Sequence, residues 1–189
     1  MSLSKEDGKL LIEIARKSIS LKLKGTEDIF MAADGSLKER FKENGAGFVT
    51  LTIDGELRGC IGYTEALFPL WETIAKAAQS AAFQDPRFPP LSEKELDKIK
   101  IEISVLTKPE EIPGKKEDYP KKIKIGKHGL IVESGKGAGL LLPQVFTEYK
   151  ADSEKALEMT CQKAGLPSNS WKEPGCKVYT FSAQIFEEK

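Results

Sequence analysis

At 189 residues the chain is long enough for one domain with a true core, or for two small lobes sharing one. Its 29 basic and 29 acidic side chains cancel, so no global field draws it to nucleic acid or an anionic membrane, and such binding would need a local patch. The 40% hydrophobic and 31% charged composition is that of a soluble globular protein, with no long apolar run or charged-then-apolar leader to suggest a membrane span or secretion.

Ser4, with Asp7 three residues on, is a capping-box start, and Gly25 stands where a terminal glycine ends a helix. Leu11, Ile14, Ala15 and Ile19 recur at helical spacing between them, which predicts an amphipathic helix over 5–24. Residues 33–46 read as loop with a short helical piece. Gly47 to Ile53 reads as a strand, and Asp54-Gly55 is a two-residue hairpin turn. The returning arm carries Leu57-Arg58-Gly59-Cys60-Ile61-Gly62. Pro69 then opens an alanine-rich helix that ends by Asp85-Pro86. Ser92 and Glu95 form a second capping box, opening a short helix to about Lys98. Isoleucines 99, 101 and 103 and Val105 alternate with polar residues as in a half-buried strand.

Lys108 to Lys122, rich in Pro, Lys and Glu, reads as an exposed connection between lobes. Strand-like pieces are expected at 123–125, 130–134 and 139–142, a helix from Ser153 to Ala164, and one closing strand from Val178 to Phe186. Helices and hairpins intermixed without strict βαβ alternation predict an α+β fold.

Cys60 lies between two glycines and two residues from Arg58. Glycine permits close approach of a backbone or a ligand, and a nearby guanidinium favours the thiolate, the form that attacks electrophiles. Simple alternation puts Arg58 and Cys60 on one strand face, with Leu57 and Ile61 toward the core. Two readings stand: a small buried hydrophobe in a glycine-tight segment, or a reactive sulfur in a functional site.

The hexapeptide, followed by Asp85-Pro86-Arg87-Phe88-Pro89-Pro90-Leu91, Glu102-Ile103-Ser104-Val105-Leu106, Gly126-Lys127-His128-Gly129-Leu130, Leu142-Pro143-Gln144-Val145 and Lys163-Ala164-Gly165-Leu166, resembles the AMMECR family over nearly the whole chain. The expected fold is one α+β domain over 1–189, built as two closely packed lobes with sheets flanked by helices, and with the hexapeptide (Arg58, Gly59, Cys60 and Gly62) and the 85–91 loop lining the cleft between them. AMMECR-like proteins occur in genomes alongside radical-SAM and Memo-like proteins, which implies by analogy a shared pathway. Neither the residues nor the resemblance specifies a cofactor.

His128 is the only histidine, so any Cys–His dyad must use it, although a turn histidine bonded locally to backbone accounts for it equally well. Asp85 and Arg87 either line a pocket or cap and pair with each other. Glu102 shares a face with Ser104, solvated or supporting a nearby site. A single histidine and no paired Cys-x-x-Cys spacing argue against a metal centre. Cys161 falls on a helix stripe and belongs to a core; Cys176 follows Pro174-Gly175 in a loop and is expected to be exposed. Gly135-Lys136-Gly137-Ala138-Gly139 lacks the phosphate-loop pattern and reads as a hairpin turn. The lysines between 115 and 127 form a local basic patch, a weak basis for DNA or RNA contact.

The expectation is thus a cytoplasmic enzyme or enzyme component acting on a small molecule, with Cys60 as nucleophile or carrier, Arg58 stabilising its charge and His128 as base. The competing reading is a binding domain that uses the hexapeptide as a docking surface for a protein partner. Three widely spaced cysteines fit free thiols in a reducing compartment.

Overall fold

The Ser4–Asp7 capping box forms as expected: the Asp7 carboxylate accepts from the Ser4 N–H at 2.8 Å, and the Ser4 hydroxyl accepts from the Asp7 N–H at 3.1 Å. In the computed structural model, which describes residues 3–26 and 28–188, this box opens helix α1, Lys5–Leu23. Gly25 follows with a positive φ of 79°. The chain continues through a short helix α2, Gly35–Arg40, capped by Asp34. Strand β1, Gly47–Ile53, turns at Asp54-Gly55 into β2, Glu56–Tyr63. Both turn residues have positive φ, 53° and 85°, which matches the right-handed twist of the strands they join. Helix α3, Leu70–Phe83, and strand β3, Lys100–Leu106, complete this stretch. The Ser92–Glu95 box opens only a 3-10 turn, Glu93–Glu95, shorter than the expected helix.

Beyond β3 come β4, Glu110–Glu111, a one-turn helix α4, Tyr119–Lys122, and the hairpin β5, Gly129–Ser134, with β6, Gly137–Leu141. Helices α5, Pro143–Glu148, and α6, Ser153–Lys163, lead to β7, Lys177–Phe181, and β8, Ala183–Glu187. The fold is α+β, with two four-stranded sheets.

The chain divides into two compact units. One runs to Leu106 and resumes at Gln184; the other is Thr107–Ala183. In the first, the sheet order is β2-β1-β3-β8, and β1 pairs antiparallel with both neighbours. Helices α1 and α3 supply Leu11, Ile14, Ile19, Leu70, Ile74 and Ala78 to a core shared with Val49, Leu51, Ile101 and Ile103. The alanine face of α3 allows its backbone to come close to the sheet, because a methyl group keeps the interaxial distance short.

In the second unit the order is β4-β7-β5-β6. Its core gathers Leu130, Val132, Phe146, Leu157, Trp171 and Val178.

Several expectations are corrected here. Residues 123–125 form no strand, because the N–H groups of Lys127 and His128 both turn back to the Lys124 carbonyl. The stretch 108–122 is no plain exposed linker: it carries β4 and α4 and buries Ile112 and Tyr119. Helix α5 was not expected; Pro143 sits in its first turn, where a missing N–H costs nothing. The closing strand is two strands in different sheets. Ser182 breaks it by exchanging bonds with Thr107: the Thr107 N–H donates to the Ser182 carbonyl and the Ser182 N–H to the Thr107 hydroxyl.

Candidate functional site around Cys60

β2 is an edge strand, and its pairing with β1 is irregular. Cys60 lies opposite Thr50 and Gly59 opposite Leu51, but Thr52 faces Leu57, so Arg58 has no cross-strand partner. Such a bulge breaks the period of two. Gly59 stays on the core face with Leu51, while Leu57 is carried onto the outer face with Thr52, Thr50 and Cys60. Leu57 is accordingly 41% exposed, contrary to the expectation that it faces the core. Ile61 does pack against the core.

The two glycines of the hexapeptide admit protein, not ligand. A Cβ on Gly59 would stand 2.1 Å from the Ala81 carbonyl oxygen of α3. One on Gly62 would stand 2.4 Å from the Gly47 oxygen and 2.5 Å from the ring of Phe48, its cross-strand partner. These glycines fix how tightly the strand carrying Cys60 is held.

An edge strand leaves alternate N–H and C=O groups unpaired. At Cys60 the 85–87 loop takes up both. The Cys60 N–H donates to Asp85 Oδ2 at 2.9 Å, and Arg87 Nη2 donates to the Cys60 carbonyl at 3.3 Å. Arg87 is tied to Asp85 through Nε–Oδ1 at 2.9 Å and Nη2–Oδ2 at 2.7 Å. Asp85 is 3% exposed, Arg87 mostly open to solvent. The Arg87 hydrogen bonds hold the Asp85 carboxyl well below the usual carboxylate range, against the upward push of burial. Asp85 and Arg87 therefore both pair with each other and grip the peptide of Cys60.

The sulfur itself is half-buried and unpaired with any other cysteine. Among the described residues its one hydrogen bond comes from Thr50, whose hydroxyl donates to Sγ at 3.3 Å. Thr50 also faces Glu102 on β3, so Cys60, Thr50 and Glu102 lie in a row across three strands of one sheet face. Burial, with repulsion from Glu187, raises the Glu102 carboxyl above its ordinary value.

Arg58 is committed elsewhere. Its Nε donates to Glu95 Oε1 at 2.8 Å, and its Nη2 to Glu95 Oε2 at 3.3 Å and the Pro89 carbonyl at 2.9 Å. The cation that touches Cys60 is therefore Arg87, and the charge of Arg58 goes to Glu95. The Arg58 bond, aided by the Ser92 N–H, lowers the Glu95 carboxyl to about 2. In sequence Glu95 reads only as a capping residue; its partnership with Arg58 depends on a loop conformation that no local spacing reveals. Thr50 was missed because the bulge decides which β1 residue lies opposite the cysteine.

His128 belongs to the second unit, just ahead of β5. Its Nδ1 accepts from the Lys124 N–H at 3.3 Å, which leaves the ring proton on Nε2. Burial, then Lys127 and Lys124, lower its pKa. Cys161 is fully buried, as expected. Cys176 is also buried, at 2% exposure, because it packs with Val178 and Trp171 in the second core. Burial pushes both thiols up. Among the described residues no group of three His, Cys, Asp or Glu side chains is disposed to hold a metal ion, and no helix is long and apolar enough to cross a membrane.

Residues 12–186 match the AMMECR1 family. The chain is 48% identical to a protein of Methanothermobacter thermautotrophicus, covering 98% of this chain and 96% of that one. It is 45% identical to a protein of Aquifex aeolicus, covering 95% and 91%. Among solved structures it resembles the crystal structure of the uncharacterized protein PH0010 from Pyrococcus horikoshii, with a TM-score of 0.83, 44% identity, and coverage of 99% and 94%.

Proposed function

The chain belongs to the AMMECR1 family, and we propose that it is a cytoplasmic enzyme, or a component of one, that handles a small molecule at Cys60. In this reading the Cys60 sulfur forms a bond to an electrophilic carbon of the ligand. The displaced electron pair stays with the ligand's leaving atom, or with its carbonyl oxygen, and the thiol proton passes to solvent. Arg87 supplies the neighbouring positive charge. The genomic company of radical-SAM and Memo-like proteins suits a component that works within a longer reaction sequence.

One observation carries this reading: a buried carboxylate and its arginine are spent on fixing the peptide of a single half-buried cysteine. A small residue serving only to pack needs no such grip. Preorganised geometry is what a reacting group requires, because displacement by about 1 Å can cost two orders of magnitude in rate. The three free thiols accord with a reducing compartment.

The test is selective alkylation. In folded protein near neutral pH, iodoacetamide should label Cys60 well before the buried Cys161 and Cys176, as read by peptide mapping. Arg87→Met should slow that labelling several-fold, roughly the effect of losing one nearby cation. Labelling of Cys161 or Cys176 ahead of Cys60 would defeat the assignment and leave the docking-surface reading.

A further inference from the structure

Arg58 and Arg87 use their donors in the same way. A guanidinium has five N–H groups. Arg58 spends Nε–H and both Nη2 hydrogens on Glu95 and Pro89; Arg87 spends the same three on Asp85 and Cys60. In each, Nη1 is left over. Arg58 Nη1 is fully buried and has no hydrogen-bond partner among the described residues, on a side chain only 11% exposed. Both guanidinium groups lie against one ring, their Cζ atoms 5.9 and 5.5 Å from the centroid of Phe88. Two guanidinium groups, each with an unspent amino end, thus lie against a single aromatic side chain in the loop that grips Cys60.

A buried donor without an acceptor is costly and is expected to meet one in the working state. Charge narrows the choice of acceptor. Asp85 and Glu95 already balance the two arginines, so among anionic acceptors a monoanion adds less unbalanced charge than a dianion. Guanidinium ends match the planar geometry of a carboxylate.

We propose that the ligand handled at Cys60 is a small carboxylic acid, its carboxylate received by Nη1 of Arg58 with help from Nη1 of Arg87. This rests on the reading of Cys60 as a reacting thiol and adds the chemical class of what it reacts with. Because Arg58 Nη1 is fully buried, a side chain must move to admit the carboxylate, and we assign that movement to Phe88, whose ring lies against both guanidinium groups.

The experiment compares ω-iodocarboxylic acids of two to four carbons with their amides as alkylators of Cys60 in the full-length protein. In each reaction an S–C bond forms, the C–I bond breaks, iodide leaves with the electron pair and the thiol proton goes to buffer. Glutathione gives the acid-to-amide rate ratio of a free thiol. For at least one chain length the ratio at Cys60 should exceed the glutathione value by about tenfold or more, the effect of a charge-assisted hydrogen bond.

Arg58→Lys keeps the ion pair with Glu95 but removes Nη1. It should bring the ratio to within about twofold of glutathione, each ratio being taken within the same variant. Arg87→Lys should lower the ratio in part. A ratio equal to that of glutathione throughout the series, with Cys60 still the thiol fastest to react with iodoacetamide, overturns the carboxylate assignment and leaves the thiol reading standing. A preference that survives Arg58→Lys also overturns it, since the selectivity would then come from overall charge. Slow labelling of Cys60 by acids and amides alike removes both.

Discussion

Asp85 is almost wholly buried yet ionised, because two N–H donors of Arg87, the Arg87 backbone and the Cys60 backbone replace the water it lost. Its folded-state pKa lies below the unfolded value of roughly 3.9, so the carboxylate stabilises the fold above that pH. The contribution fades as pH falls below about 5 toward the folded value. Glu95 behaves alike, its contribution lost between the ordinary range and about 2. Asp85→Asn should therefore cost about 1–2 kcal/mol near neutral pH, a charged hydrogen bond discounted for the exposure of Arg87. Its stability should also fall less steeply than wild type between about pH 5 and pH 3. Urea unfolding across that range reads both effects; curves that stay parallel to wild type would mean Asp85 is not ionised in the fold as described.

At the scale of elements, the strand bearing Cys60 is positioned by what its neighbours cannot tolerate. The Ala81 carbonyl occupies the space where a Cβ on Gly59 would be, and a helix backbone yields far less readily than a flexible side chain. Gly59→Ala should destabilise the protein by about 3 kcal/mol, the upper part of the overpacking range. The denaturant midpoint measures it, and a loss below about 1 kcal/mol would show that α3 can move off the strand. The hairpin itself was legible: Asp54-Gly55 and the flanking alternation give the turn and both strands. The bulge at Arg58 was not, because one extra residue leaves no mark in a pattern of apolar and polar positions, and it reversed the side of Leu57.

For the whole molecule, the balance of 29 basic and 29 acidic residues leaves the lysine-rich segment as the one basis for nucleic-acid contact. Three of its six lysines are engaged within their own unit. Lys121 pairs with Asp118 at 2.8 Å, Lys122 reaches the Pro113 carbonyl, and Lys116 reaches the Cys176 carbonyl and lies over the Tyr119 ring. Duplex DNA should bind more weakly than about 10 μM at about 150 mM salt, within the nonspecific range. Fluorescence anisotropy decides it, and a submicromolar sequence-selective complex would restore the nucleic-acid reading.

What the sequence determined alone is what depends on neighbours along the chain. The capped helix α1, the β1–β2 hairpin, the alanine-rich α3, the alternating β3 and the stripe of α6 all follow from period, caps and turn chemistry, and the collinear motifs carried the family. Tertiary structure decided whatever depends on the opposite partner. It split the closing strand between two sheets at Ser182, buried Cys176 within a second core, and gave Arg58 to Glu95. It also brought Asp85 and Arg87 from a loop twenty-five residues away onto the peptide of Cys60. Local free energy is too small to select among such partners; they are chosen when cores close and each buried donor must find its acceptor.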